Sequence, residues 1–132
     1  MSDEIDYLSK KYNIQRVTDF ILRIILHDDE QCIIVFCQDL SFLNSLHDYV
    51  VKLFHSRHYN QQTQTKKSLQ LMGTNILFFS NINATKDYSG AVVELPVNDN
   101  YLDDETRTIL KSLAETSTEH SYTYLPIHYN KE

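Results

Sequence analysis

Glycine is scarce in this chain of 132 residues. Only Gly73 and Gly90 occur, and neither belongs to a G-x-x-x-x-G-K-[ST] run. Such a phosphate-binding loop needs glycines because successive backbone N–H groups must point at one phosphate. The sequence therefore argues against nucleotide hydrolysis of that type. Proline is equally scarce, with two residues, and a low content of both turn-forming residues predicts mostly regular secondary structure.

Cysteine and long apolar runs are also in short supply. Cys32 and Cys37 are the only cysteines, and on one strand their side chains point to opposite faces and cannot bridge. Two thiols of this kind fit a reducing compartment. Arg23 and the polar run 27–30 interrupt the apolar stretches, and 1–11 lacks the apolar core of a signal peptide. Neither a membrane span nor a secretory leader is predicted.

Positive charge is outnumbered, since 12 Lys and Arg residues face 18 Asp and Glu residues and the net charge is −6. An acidic surface repels phosphate backbones, which disfavours broad nucleic-acid binding but allows a local basic patch or a basic partner protein. The abundance of Asn, Ile, Lys, Tyr and Ser is typical of AT-rich genomes, such as those of phages and other viruses. The sequence predicts a soluble cytoplasmic protein, in the host cell interior if it is viral.

The chain does contain a regular alternation of helix and strand patterns. Apolar residues recur at helical spacing in Gln15–His27. A second helix is predicted over Asp39–Arg57, with Asp39 or Ser41 as its N-cap. A third helix opens with acidic residues at 103–105, where the helix dipole favours them.

The strand patterns lie between these helices. The continuous apolar run Cys32–Cys37 predicts a strand buried on both faces. Two shorter runs joined at Gly73-Thr74 predict a hairpin, and Pro126 makes the last pattern an edge strand or splits it. The polar stretches Asn60–Lys67 and Asn81–Ser89 are predicted loops. The further strands are predicted over Ser68–Met72, Asn75–Ser80, Gly90–Leu95 and His120–Tyr129.

This order of elements predicts the fold class. Helices that alternate with strands are typical of an α/β layer fold with a mainly parallel sheet. We expect one domain over residues 1–132, three-layer-like, with an antiparallel hairpin in the sheet and helices on both faces. Residues 1–13 are predicted to be a flexible arm or a short helix.

The hairpin and the strand after it carry a resemblance to a known family. The hairpin reads Met72–Phe78 (MGTNILF), the next loop ends in Gly90, and the apolar strand Ala91–Leu95 follows. The succession resembles the ATPase core of phage large terminases and related P-loop motors, with Met72 in place of an Asn. That resemblance implies a phosphate loop before the helix Gln15–His27 and an acid pair at the end of the strand.

Both of these functional parts are missing from the pattern. No glycine loop precedes the first helix, and at the place of the acid pair Glu94 is followed by Leu95 and Pro96. The resemblance therefore implies a fold kept without nucleotide binding. We predict no catalytic residue, no cofactor and no metal.

Two groups of residues are candidates for binding. Basic residues mixed with one aromatic side chain can stack bases and bind phosphates, and tyrosines on one face of a strand favour protein interfaces or simply form core. The candidate site for nucleic acid or a partner consists of Lys52, Arg57, His58, Tyr59, Lys66 and Lys67. The candidate partner-binding strand carries Tyr122, Tyr124 and Tyr129.

Other groups have the residue types of a chemical site without its spacing. His47, His55 and His58 lie on or near one helix, but no H-E-x-x-H motif is present. The run His27–Glu30 has the composition of a solvated turn. Cys37 ends a strand next to a helix N-terminus, where reactive groups are common, yet Leu43 stands where C-x₅-R would need its arginine.

Three functions follow from the residues. The first is a non-catalytic protein-binding or accessory protein, whose partner is another protein or a second copy of itself. The alternative is a nucleic-acid-binding accessory protein that uses the basic and aromatic patch. A further alternative is a small enzyme of unknown type that uses His27, Asp28, Asp29 or Cys37.

Overall fold

The computed structural model describes residues 2–27, 32–56, 61–65, 68–115 and 122–129. Within these ranges the chain forms three α-helices, six strands and one 3-10 helix. The helices are α1 (Ser2–His27), α2 (Leu40–Ser56) and α3 (Asp104–Glu115), and the 3-10 helix is Ile82–Thr85. The strands are β1 (Cys32–Phe36), β2 (Gln61–Thr65), β3 (Ser68–Leu71), β4 (Thr74–Phe79), β5 (Ala91–Glu94) and β6 (Tyr122–Tyr124).

The six strands form one sheet in the order β2-β3-β4-β1-β5-β6. β1 lies at the centre and runs parallel to β4 and to β5, and β6 is parallel to β5. β2, β3 and β4 pair in antiparallel fashion. The predicted α/β fold, with a mainly parallel sheet and an antiparallel hairpin, is confirmed.

The first face of the sheet is covered by α1 and α2. The apolar stripe of α1, including Val17 and Ile21, packs with α2 residues such as Leu46 and with Ile33 and Val35 of β1 in one buried cluster. Asp39 caps α2, because its Oδ1 accepts the backbone N–H of Phe42 at 3.0 Å. Of the two predicted N-caps, Asp39 and Ser41, the structure has Asp39, and the cap starts the helix directly after the central strand.

The second face of the sheet is covered by α3. Leu110 and Leu113 pack on Ile34 and Phe36 of β1 and on Val92 of β5. The cluster is smaller than that of the first face, and β4 contributes only the partly buried Phe79 to it. Helices on both faces and a central strand buried on both sides are therefore confirmed. The two cysteines also separate as predicted, since Cys37 joins the first cluster and Cys32 borders the second.

Both glycines stand at positions where the backbone geometry favours glycine. The turn between β3 and β4 has Met72 and Gly73 at its centre, with φ of 53° and 84°, the signs of a type I′ turn. The hairpin is therefore joined one residue earlier than predicted. At the start of β5, a Cβ on Gly90 would overlap the carbonyl oxygen of Cys32, so close packing of the two strands requires glycine there.

The structure differs from the predictions in two loops, and of the two alternatives for the N-terminal residues it has the helix rather than the arm, longer than the short helix expected. Residues 2–13 belong to the continuous helix α1, and Asn13 Nδ2 donates to the His128 carbonyl at 2.8 Å, which ties this part of the helix to the C-terminal segment. Gln61–Thr65, predicted within a polar loop, forms β2, because pairing with β3 satisfies the backbone whatever the side-chain polarity. The loop Asn81–Ser89 contains the 3-10 helix, and its Thr85 is buried.

Among the described residues, no helix combines the length and the apolar content that are needed to cross a membrane.

Candidate functional site

The connections after β1 and β5 leave the sheet in opposite directions. α2 follows β1 and packs on the first face, whereas α3 follows β5 and packs on the second face. In open α/β sheets, ligands bind in the crevice outside the carboxyl ends of strands at such a switch point. Here the crevice lies between Phe36 at the end of β1 and Glu94 at the end of β5, which are paired in the sheet.

Glu94 is the buried acid of this crevice. Its side chain is almost wholly removed from solvent, on the second face. Arg107 of α3 binds the carboxylate in a bidentate manner, with Nε 3.2 Å from Oε1 and an Nη 2.9 Å from Oε2. The Tyr122 hydroxyl of β6 donates to the same Oε1. A buried charge needs such partners because desolvation alone would strongly disfavour it.

The same network shifts the pKa values of its members. Burial, followed by the hydrogen bond to Glu94, raises the pKa of Tyr122 above its ordinary range. The hydrogen bonds to Glu94 raise the pKa of Arg107. Tyr122 is therefore a neutral donor and Arg107 a fixed cation at neutral pH, and both serve to hold the Glu94 carboxylate.

Asp39 occupies the other wall of the crevice. Besides capping α2, its Oδ2 accepts the hydroxyl of Tyr129 at 3.2 Å. The Tyr129 ring stacks on Phe42, with centroids 5.7 Å apart, and its backbone N–H donates to Asn98 Oδ1 at 2.8 Å. Both carboxylates of the crevice are thus engaged by groups from the C-terminal part of the chain.

The space left between these walls is small. The crevice encloses about 10 Å³, bordered by Gln38, Pro96 and Asn100 besides the two acids. A volume of this size holds about one water molecule. The contacts in the crevice therefore hold β1, β5 and the helices that follow them, α2 and α3, together. The remaining space has no room for a substrate in this conformation.

A tyrosine surface lies next to the crevice, on the solvent side of the Glu94 network. We use this name for Tyr101, Tyr124 and Arg107. The rings of Tyr101 and Tyr124 stack with centroids 6.3 Å apart and planes 16° apart, while 55% and 42% of these side chains stay exposed. The Arg107 guanidinium lies 5.6 Å from the centre of the Tyr124 ring. Two large aromatic surfaces are thus fixed in place while facing water.

One carboxylate contacts this surface, and three more acidic residues follow Tyr101 closely in the chain. The Tyr101 hydroxyl donates to Asp99 Oδ1 at 3.0 Å, and this hydrogen bond is the main reason why the pKa of Tyr101 is raised. Asp103, Asp104 and Glu105 follow on the same loop and the first turn of α3, all exposed. A stacked aromatic pair with a carboxylate on one ring is suited to cationic side chains, which bind both aromatic faces and carboxylates.

The predicted basic and aromatic patch is described only in part. Lys52 lies exposed on α2. Arg57, His58, Tyr59, Lys66 and Lys67 lie outside the described residues. Lys52 faces a groove between α1 and α2, together with Lys10 and Lys11.

The three tyrosines of the predicted partner-binding strand are separated by the fold. Tyr122 is half-buried on Glu94, and Tyr124 is exposed on the same face of β6. Tyr129 has only 8% of its surface exposed, so its place in an exposed binding strand is corrected to the core. The reason is the hydrogen bond to Asp39 and the stack on Phe42, which draw the C-terminal segment inward.

Among the described residues, those considered for chemistry are not brought together into one site. His47 is buried on the first face against Phe78, whereas His58 and 28–30 lie outside the described residues. Cys37 is fully buried, with Sγ 3.6 Å from the Asp39 carbonyl oxygen. Within the ranges that the structure describes, no group of three His, Cys, Asp or Glu side chains is arranged to hold a metal ion.

Two residues of this region were missed from the sequence: Arg107 and Tyr101. A signal for Arg107 existed, because Glu94 ends a buried strand and needs a cation, and Arg107 is the only arginine of the helix that follows. For Tyr101 there was no signal, since its partner Tyr124 lies on a strand at the end of the chain.

No protein-family model matches the chain, and no curated protein or solved structure matches it either. The fold and the crevice define an α/β protein in which an internal ion-pair network fills the crevice at the switch point of the sheet. The resemblance to terminase ATPase cores stays a prediction.

Proposed function

We propose that this protein is a non-catalytic accessory protein that binds a partner protein through the tyrosine surface. The observation that carries the proposal is the pair of exposed, stacked rings of Tyr101 and Tyr124 at the carboxyl edge of the sheet. Tyrosine and arginine are the residues most enriched among those that dominate binding energy at interfaces. Rigid aromatic side chains also lose little conformational entropy on binding.

The state of the crevice supports binding over catalysis. An acid that acts as general base must reach the substrate, whereas the Glu94 carboxylate already accepts three hydrogen bonds from two side chains. The crevice holds about one water molecule. A chain that resembles a P-loop ATPase core but has lost its phosphate loop would use this edge as a surface rather than as an active site.

The partner that fits the surface is a basic protein segment. Asp99, Asp103, Asp104 and Glu105 give the region a negative charge, in keeping with the net charge of −6. Complementary charge raises association rates and excludes acidic competitors. We expect arginine or lysine side chains of the partner to stack on the Tyr101 and Tyr124 rings, in the cytoplasm of the cell that contains the protein.

A peptide display selection tests this function. Random twelve-residue peptides are selected on the wild-type protein and then measured against Tyr101→Ala and Tyr124→Ala. We expect the selected peptides to be rich in Arg and Lys and to lose about tenfold in affinity, the effect of about 1.4 kcal/mol, with either variant. Tyr12→Ala and Tyr88→Ala are the matched controls, because both tyrosines are exposed elsewhere on the protein.

Two results would overturn the proposal. One is a selection whose peptides bind both tyrosine variants as well as the wild type. The other is ATP hydrolysis by the purified protein that Glu94→Gln abolishes, since that would make the crevice an active site. Sedimentation of the protein alone, with and without Tyr124→Ala, decides whether the partner is a second copy of the chain.

Nucleic-acid binding is the second candidate function. It is favoured by the gathering of Lys10 and Lys11 beside Lys52, which extends the predicted basic patch onto α1. It predicts binding to a single-stranded oligonucleotide at low salt that weakens as salt rises. Arg57→Ala and Lys66→Ala should each reduce the binding, and no binding at low salt would refute this candidate.

A further inference from the structure

A groove between α1 and α2 lies apart from the tyrosine surface. It has a volume of about 640 Å³ and is lined by side chains from the middle of both helices. Ligand sites in proteins occupy about 300–1,000 Å³, so the groove has the size of a site for a small molecule. It opens on the outer side of the helix layer that covers the first face, whereas the tyrosine surface belongs to the second face.

The walls of the groove are of two kinds. Ile14, Tyr49 and Val51 supply apolar area, and Lys10, Lys11 and Lys52 supply positive charge. Lys10 is held in place at one end, with Nζ 5.8 Å from the centre of the Tyr129 ring. Among the described lining residues Asp48 is the only acid, and His47 Nδ1 lies 3.3 Å from its Oδ1.

His47 also lines the groove, although its Nε2 is buried behind the wall. The side chain lines the groove with only 7% of its surface exposed. Its Nε2 is buried and has no hydrogen-bond partner among the described residues. Buried polar atoms almost always have a partner, and exceptions often mark a place where a ligand or water binds. Because almost none of the surface of Nε2 is accessible, this atom does not contact the free space of the groove, and it is the volume and the lining of the groove that indicate a binding site.

From this geometry we infer that the groove binds a small amphiphilic anion, with an apolar chain on Ile14 and Val51 and a carboxylate or phosphate head near the lysines. The two kinds of wall select both parts of such a ligand: the apolar area favours the chain through the hydrophobic effect, and the lysines favour the anionic head. A nucleic-acid strand would fit the lysines but would leave the apolar floor unused. The inference does not depend on the proposed function, since the two surfaces share no residue.

The test uses four ligands of equal chain length. Octanoate and octyl phosphate carry the anionic head, octanol carries none, and octylammonium carries the opposite charge. Binding to the full chain is measured by calorimetry and by the rise of the thermal midpoint, which a ligand of the folded state produces by mass action. We expect one or both anions to bind at least about tenfold more tightly than octanol, about 1.4 kcal/mol, and octylammonium not to bind.

Charge reversal on the groove provides the matched comparison. The double variant Lys11→Glu/Lys52→Glu should weaken anion binding about tenfold or more. The control is Lys86→Glu/Lys111→Glu, which changes the same charges at exposed positions outside the groove. All four lysines are at the surface, so both variants are expected to fold.

Each outcome decides the inference. Preferential anion binding that is lost only in the groove variant supports it, and the stronger of octanoate and octyl phosphate identifies the head group. Equal binding of octanoate and octanol, or equal loss in both double variants, overturns it. Binding of a short oligothymidylate without binding of either octyl anion also overturns it and favours nucleic acid as the occupant.

Discussion

The two faces of the sheet are covered in different ways. The first face carries two helices over a continuous apolar cluster that reaches from Leu69 of β3 to Val93 of β5. The second face carries α3 over a smaller cluster, and near the carboxyl end of β5 its apolar contacts give way to the Glu94–Arg107 ion pair. The first face is held mainly by the hydrophobic effect, whereas the second combines it with an ion pair at the sheet edge.

This difference suggests a division of roles. An apolar face stabilises the fold without regard to orientation, whereas a bidentate ion pair fixes one geometry. Arg107 binds Glu94 and also lies over the Tyr124 ring. The network on the second face therefore positions the tyrosine surface, and the first face provides the stability on which it is built.

The largest expected effect compares neighbouring residues of β4. Phe78 is fully buried on the first face, and Phe79 is partly buried on the second. Phe78→Ala should lower the free energy of unfolding by about 3–5 kcal/mol, because it leaves a cavity in a close-packed cluster. Phe79→Ala should cost less than half as much. Urea unfolding measures both, and equal losses would show that the two faces are packed alike.

The second-largest expected effect on stability comes from removing the ion pair of the second face. Arg107→Met should reduce the free energy of unfolding by about 2–3 kcal/mol, since it leaves a buried carboxylate with one partner fewer; the arginine is partly exposed, which lowers the expected cost. Adding Glu94→Gln to this variant should recover part of the loss. No recovery in the double variant would mean that the pair contributes through packing rather than charge.

A smaller effect concerns the helix caps of the two faces. At the start of α3, Asp103 Oδ1 accepts the backbone N–H of Thr106 at 2.7 Å. At the start of α2, Asp39 Oδ1 accepts the backbone N–H of Phe42 in the same way. Asp103→Ala should lower the free energy of unfolding, because it removes the cap of α3. Asp39→Ala should cost more, because it also removes the partner of the Tyr129 hydroxyl. The same unfolding measurements check this order, and a larger cost at Asp103 would contradict it.

The smallest expected effect is a loss of stability at alkaline pH, to which one tyrosine on each face contributes. Burial is the largest cause of the raised pKa of both Tyr122 and Tyr129, followed by their contacts with Glu94 and Asp39. A tyrosine whose pKa is higher in the folded state contributes stability that is complete below about pH 10 and is lost as pH rises toward the folded value.

Phenylalanine variants separate the two tyrosines. Tyr122→Phe and Tyr129→Phe should each flatten the fall of stability above pH 10, because the variant has no proton to lose. Thermal midpoints from pH 8 to pH 11 measure the slope. A slope unchanged in both variants would assign the alkaline loss to other groups. The exposed Tyr12→Phe serves as the control.

The sequence predicted well those elements that depend only on residues close to one another in the chain. The apolar run of β1 requires burial on both sides, the stripe of α1 requires one apolar contact face, and Asp39 needs only the N–H of Phe42, three residues away. β2 could not be predicted, because its polar sequence forms a strand only through pairing with β3. The Met72-Gly73 turn was displaced by one residue, since positive φ at Met72 goes against its intrinsic preference.

The candidate site was less predictable than the fold. Tyr122, Tyr124 and Tyr129 were predicted to form a partner-binding strand or core. Tyr124 is exposed and Tyr129 is buried, and Tyr101, the stacking partner of Tyr124, was not among the candidates. In each case the deciding contact joins residues far apart in the chain, and periodicity carries no information on such contacts.

The sequence by itself determined the class of fold, the central strand and the absence of a glycine phosphate loop, because each depends on neighbouring residues or on composition. The tertiary structure alone decided that Arg107 and Tyr122 hold Glu94, from 13 and 28 residues away, and that Tyr129 binds Asp39 across 90 residues. The physical reason is that a buried carboxylate needs donors from whichever element the fold brings to it. The topology of the sheet, rather than the spacing of the sequence, selects that element.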